Sequence, residues 1–163
     1  MHPDTAQKLS RFNYLLGETE AAYHEASLKL GLSDSAMRIL YALCDLGDRC
    51  PLQSICRRSG LSKQTVNSAI RKLEQEGILY LEQATARAKQ VCLTERGKAL
   101  AERTAKRILQ IENELFSAWP AGDVEIYLRL TERFLMDFKE KSATLCTDSS
   151  PNRLAPCETK RDG

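Results

Sequence analysis

The residues best suited to chemistry lie in one stretch, Leu61-Ser62-Lys63-Gln64-Thr65-Val66-Asn67-Ser68-Ala69-Ile70-Arg71-Lys72-Leu73-Glu74-Gln75-Glu76-Gly77. Ser62 is a good helix N-cap, because its hydroxyl can accept from the free backbone N–H groups of the first turn. Gly77 suits the left-handed residue that ends a helix. Between them, Val66, Ile70 and Leu73 recur at i, i+4 and i+7 and form one apolar stripe. The opposite side carries Gln64, Ser68 and Arg71, flanked by Asn67 and Lys72, with Lys63 and Thr65 in the first turn. A solvent face ordinarily mixes Glu with Lys for i, i+4 support. Here the acids wait until Glu74 and Glu76, at the far end. Amides, hydroxyls and one guanidinium are the groups that read base edges: Gln and Asn suit adenine, Arg suits guanine, and Ser or Thr suits either.

Other chemistries find little to work with. The chain has two His, no Gly-rich phosphate loop and no paired metal-ligand spacing, so catalysis, a metal site and a cofactor are not expected. Its six cysteines (44, 50, 56, 92, 146, 157) include no Cys-x-x-Cys pair, which leaves zinc without support. The N-terminus lacks a signal-peptide apolar core, and no apolar run approaches the roughly 20 residues that span a bilayer. The expectation is a cytoplasmic chain with reduced thiols and no membrane partner. A length of 163 residues allows one sizeable core. The net charge of +2 supplies no overwhelming basic field, so a nucleic-acid role requires local clustering. Residues 33–97 hold ten Lys or Arg against seven Asp or Glu, a local excess of three positive charges.

The elements that must position the polar face follow from periodicity and breakers. Residues 5–30 form a helix with Leu9, Phe12, Leu16 and Tyr23 near helical spacing, ended by Gly31. Ser33 or Asp34 begins a second helix, with Met37, Leu40, Tyr41 and Leu43 or Cys44 inward, broken by Gly47 and Asp48. Pro51 fits the first turn of a short third helix, where a missing N–H costs nothing, and Gly60 ends it. A short helix, a tight turn and the polar-faced helix of residues 62–76 make a helix-turn-helix. Then the period changes. Ile78-Leu79-Tyr80-Leu81 and Lys89-Gln90-Val91-Cys92-Leu93 are strands around a small polar loop, so a hairpin wing follows directly. Arg87 at its tip, with Lys89 close by, suits the negative potential of a DNA minor groove. Thr94 opens a long helix to about Trp119, with Leu100, Thr104, Ile108, Ile111 and Leu115 on one side. Pro120 to Gly122 breaks it. Asp123 caps a last helix to about Lys141, faced by Val124, Tyr127, Leu128, Thr131, Leu135 and Phe138. Residues 142–163 read as a flexible tail.

The organisation is therefore mainly α: an N-terminal dimerisation helix over 1–32, a winged helix-turn-helix DNA-binding domain with a small β-hairpin wing over 33–94, C-terminal dimerisation helices over 95–141, and the tail. One winged domain cannot bury the apolar faces of three further helices, which need each other or a twin. Gln64, Asn67, Ser68 and Arg71 are expected at bases of double-stranded DNA. Arg58, Ser62, Lys63, Thr65 and Lys89 are expected at phosphates, and Arg87 in the minor groove.

This arrangement resembles the MarR family of bacterial transcription regulators. The resemblance rests on Leu61-Ser62-Lys63-Gln64-Thr65-Val66, Arg71-Lys72-Leu73-Glu74-Gln75-Glu76-Gly77 and, after the wing, Leu93-Thr94-Glu95-Arg96-Gly97, and it spans about residues 10–140. It implies a homodimer built from the first and last two helices, reading a pseudo-palindromic operator as a repressor or activator. It also implies a small-molecule effector bound between the dimer helices and the winged domain, where Tyr14, His24 and Tyr41 could lie. One position departs: the family's wing often carries Asp-x-Arg, and Thr85 stands at the Asp position here. The family's hydroperoxide-sensing branch uses a Cys early in the first helix, and no Cys precedes Cys44. Two other readings stay open at this level. One is a winged-helix protein-interaction module without DNA binding; the other is a thiol-based redox-sensing regulator, with Cys50, Cys56 and Cys92 in or near the DNA-binding unit.

Overall fold

Helix α2 (Asp34–Leu46) is the element on which the winged half is assembled. Its 13 residues bury Ala36, Met37, Ile39, Leu40, Ala42 and Leu43 along one side. Ser33 caps it, accepting the Ala36 N–H at 3.3 Å. In this computed structural model residues 3–85 and 88–146 are described, and they fall into two compact units, Met1–Glu114 and Leu115–Gly163.

In the first unit α1 (Pro3–Lys29) precedes α2, and a short strand β1 (Arg49–Pro51) leads into α3 (Leu52–Ser59) and α4 (Lys63–Gln75). Strands β2 (Leu79–Thr85) and β3 (Ala88–Leu93) form the wing, and α5 (Glu95–Arg103) and α6 (Ala105–Ala118) follow. The core is continuous. Leu40 and Leu43 of α2, Ile55 of α3, Val66, Ile70 and Leu73 of α4, Leu79 and Val91 of the wing, and Ala101, Ala105 and Ile108 beyond it are all buried. The stripe expected on α4 is thus its core face, and each of its three residues is at most 2% exposed.

The sheet has three antiparallel strands in the order β1-β3-β2, with Cys50 opposite Val91 and Leu81 opposite Val91 on the other side. β1 was not anticipated. It takes Pro51, which stands at the N-cap of α3 rather than inside its first turn. The hairpin is longer than the apolar residues alone suggested, and the register shifts between Gln83 and Thr85. Thr94 ties the wing to α5. Its hydroxyl donates to the Gly77 carbonyl at 2.7 Å and accepts the Gly97 N–H at 3.0 Å. Gly97 is required there by space: a Cβ on it would stand 1.9 Å from the Ile78 carbonyl oxygen.

The single helix expected from Thr94 to Trp119 is two. Thr104 breaks it with φ −129° and ψ −90°, leaving α5 and α6 on either side. Thr104 is buried, and its hydroxyl donates to the Leu100 carbonyl at 2.6 Å. Thr19 and Thr131 make the same bond back one turn inside helices that stay continuous, so the bond accompanies the break and does not by itself explain it.

The second unit contains the end of α6, α7 (Ala121–Ser142) and a 3-10 turn, Ala143–Cys146. Pro120 takes the N-cap position of α7, three residues earlier than Asp123. Phe116, Trp119 and Tyr127 cluster: the first two stack at 5.6 Å, and Tyr127 meets Trp119 edge-on at 5.6 Å. No residue of α7 is buried. The expectations placed on Arg87, on Cys157 and on the tail from residue 147 lie outside the described residues. Among the described residues no helix is long and apolar enough to cross a membrane.

Candidate nucleic-acid interface

The outer face of α4 is held by features at both of its ends. Ser62 accepts the Thr65 N–H at 3.1 Å, and the two hydroxyls lie 2.8 Å apart. At the far end Gly77 takes φ 69°, the left-handed residue that ends a helix, and its N–H donates to the Glu74 carbonyl at 3.0 Å. With Val66, Ile70 and Leu73 anchored in the core, the opposite side chains must point outward. Lys63, Gln64, Asn67, Ser68, Arg71, Lys72 and Gln75 together line a shallow, open concavity. No carboxylate contributes to it. A helix with its side chains is about 10–12 Å across, which matches a B-DNA major groove about 12 Å wide.

The base-facing expectations Gln64, Asn67, Ser68 and Arg71 are therefore brought to one surface, with Lys63 beside them. Thr65 and Ser62 lie at the same end, exposed, with their hydroxyls engaged in the cap. Lys89 is exposed on β3, opposite Gln83. Arg58 is placed differently. It ion-pairs with Asp45 of α2 and lines a separate cavity.

That cavity has a volume of about 270 Å³ and is walled by α1, α2, the end of α3 and α6. This is at the lower bound for small-molecule sites. Met37 and Ile108 give it apolar surface, and Tyr23, Tyr41, Glu112 and Arg38 give it polar groups. Both tyrosine hydroxyls donate to Glu112, one to each carboxylate oxygen. Burial and the bond to this carboxylate push the Tyr41 hydroxyl far above its ordinary pKa, so it stays a neutral donor. His24 Nδ1 meets the Asp34 carboxylate at 2.8 Å. Of the three residues expected near an effector, His24 and Tyr41 line this cavity. Tyr14 is 64% exposed on α1 and does not line it. Tyr23, Glu112 and Arg38 were not singled out as lining residues by sequence. Their partners lie 89, 71 and 21 positions away, so no local pattern marks them. Among the described residues no group of three or more His, Cys, Asp or Glu could hold a metal ion.

A capped helix with an acid-free polar face, set behind a short helix and followed by a hairpin, defines a winged helix-turn-helix fold. Residues 30–89 match the sequence model of the MarR family. No curated protein sequence matches the chain. Among solved structures, a MarR family regulator from Neisseria meningitidis is similar at 19% identity with a TM-score of 0.71, over 86% of this chain and 99% of that one. MepR from S. aureus, solved as a DNA complex, is 20% identical with a TM-score of 0.62, over 78% and 97%. BpsR from Bordetella bronchiseptica, whose DNA binding is regulated by 6-hydroxynicotinic acid, is 22% identical with a TM-score of 0.57, over 76% and 98%.

Proposed function

We propose that the chain acts as a homodimeric, ligand-responsive repressor that binds a pseudo-palindromic operator in double-stranded DNA. The observation that carries this is the acid-free concavity on α4, where Gln64, Asn67, Ser68 and Arg71 share one outward surface with Lys63 and Lys72. Gln64, Asn67, Ser68 and Arg71 read bases in the major groove. Lys63 and Lys89, with the capped helix start at Ser62 and Thr65, hold phosphates and fix the register. Arg87, at the wing, reaches the minor groove. Arg58 serves phosphate only by leaving Asp45, so its contribution is the smallest of the set.

Dimerisation is supported by the apolar side chains that α1 and α7 leave in water, among them Leu15, Leu16, Leu128, Leu135 and Phe138. A second copy of the chain is the partner that a two-fold operator calls for. The effector site is the cavity with Tyr41 and His24 in its wall, in keeping with the small acid that regulates BpsR. Residues 1–32 and 95–141 supply the dimer helices, and 33–94 the DNA-binding domain.

Selection of bound sequences from random duplex DNA at near-physiological salt tests the reading. A two-fold symmetric motif with half-sites about 34–36 Å apart is expected. A folded, dimeric protein that enriches nothing would contradict it and favour a protein-interaction role.

A further inference from the structure

The wing is held at two levels. Across its base, Arg49 of β1 reaches over β3, the middle strand, and ion-pairs with Glu82 of β2. Toward the tip the ladder is irregular. Gln83 pairs with Lys89, and the next pair is Thr85 with Ala88, so β2 advances two residues where β3 advances one. Ala84 is the extra residue of a bulge, which interrupts the ladder and re-aims the strand beyond it. The Gln83 side chain spans this irregularity. Its Nε2 donates to the Thr85 carbonyl and, at 3.4 Å, to the Ala88 carbonyl. One amide has two N–H donors, and the two carbonyls they reach belong to the last pair before residues 86 and 87.

Burial does not decide this register. Ala84, Thr85, Ala88 and Lys89 are all exposed. A regular ladder would pair Ala84 with Ala88 and leave residues 85–87, rather than 86 and 87, beyond its last pair. Small side chains in water gain little packing in either arrangement. Register is weakly specified where no face is buried, and a slip of one residue turns the side chains beyond it to the opposite face. The Gln83 amide does distinguish the two arrangements, because it is bonded to both members of the Thr85–Ala88 pair.

We propose that Gln83 is a positioning residue that holds the wing tip in its bulged register, and so sets the face to which the tip presents its DNA-contacting side chains. Without the amide, the tip exchanges with the regular register. Only the bulged fraction is then competent for DNA, and the apparent affinity falls with that fraction. The Arg49–Glu82 pair keeps the base of the hairpin in place meanwhile, so the exchange is confined to the tip. This inference rests on the reading of the wing as a DNA contact.

The test uses the full chain and Q83M, which keeps the length and charge of the side chain and removes both donors. Cross-strand nuclear Overhauser contacts read the register without DNA. The wild type is expected to show Thr85 against Ala88. In Q83M that contact should weaken and one between Ala84 and Ala88 should appear. Affinity of Q83M for the selected duplex is expected to drop about three- to tenfold, a competent fraction of about a third to a tenth. The loss should disappear in the background of R87M, where Q83M/R87M binds as R87M does, because Gln83 acts only through the tip. Losses that add would make Gln83 a contact of its own and overturn the proposal. An unchanged Thr85–Ala88 contact in Q83M would also overturn it, as would unchanged affinity of Q83M where R87M is weakened. An exchanged register in Q83M, with R87M binding as tightly as the wild type, would instead overturn the reading of the wing and leave the role of Gln83 in the register standing.

Discussion

Helices α2 and α7 are both amphipathic, and they end up in opposite circumstances. α2 spans 13 residues and buries six of them. α7 spans 22 and buries none, although Ile126, Leu128, Leu130, Phe134, Leu135, Met136 and Phe138 all lie along it. Each large apolar side chain left in water forgoes about 1.5–3 kcal/mol of burial. The difference teaches which half of the molecule carries its own partners. α2 meets α3, α4 and the sheet from within one chain, so the winged half has a closed core. The faces of α7 have no such closure within their own unit.

The largest effect is therefore expected where those faces are spoiled. L128D combined with L135D should give a folded monomer in light scattering. Affinity for a duplex with two half-sites should fall by about a hundredfold or more, because the two contacts are no longer linked. A dimer that survives would move the interface elsewhere and break the comparison.

Smaller effects should mark the closed half by changing stability and leaving the oligomer alone. I70A removes a side chain that is 2% exposed between α4 and α2. It should cost about 2–5 kcal/mol in urea denaturation. G97A sets a Cβ 1.9 Å from the Ile78 carbonyl oxygen, which must shift. It should cost about 1–3 kcal/mol by forced repacking. Either variant turning monomeric at unchanged stability would show that the two halves are not separable in this way.

The thiols give the smallest signal. Burial pushes Cys44 and Cys50 up to about 11 from the ordinary value of 9.0. Between those values the folded chain keeps protons that the unfolded chain has lost, so this part of the stability is present below the lower value and declines as pH rises through the window. At pH 8 both thiols should react with iodoacetamide far more slowly folded than unfolded. Rapid native labelling would restore the redox-sensing alternative, because reactivity belongs to the thiolate.

Legibility in the sequence followed the same divide between local and long-range causes. Ser62, Val66, Ile70, Leu73 and Gly77 declare a capped, one-sided helix within 16 residues, and the structure has it over Lys63–Gln75. The strands of the wing were readable from their change of period. β1 was not, because Arg49-Cys50-Pro51 has no alternation to display and exists through pairing with β3. Thr104 sat at helical spacing with Leu100 and Ile108 and so read as part of one stripe. The break lies in its backbone angles, which spacing does not reveal. The cavity was the least legible feature, since Tyr23, Tyr41 and Glu112 meet only after α1, α2 and α6 are packed. The departure at Thr85 remains visible in sequence, while its consequence for Arg87 lies outside the described residues.

The central claim is that the outer face of α4 reads bases, and Arg71→Ala tests it most directly. Affinity would be measured against the selected operator and against duplexes carrying each substitution at one base pair per half-site. The account predicts a loss of about 1–3 kcal/mol confined to one base pair of each half-site, where the variant no longer distinguishes the bases. Unchanged affinity and unchanged preference at every position would contradict it.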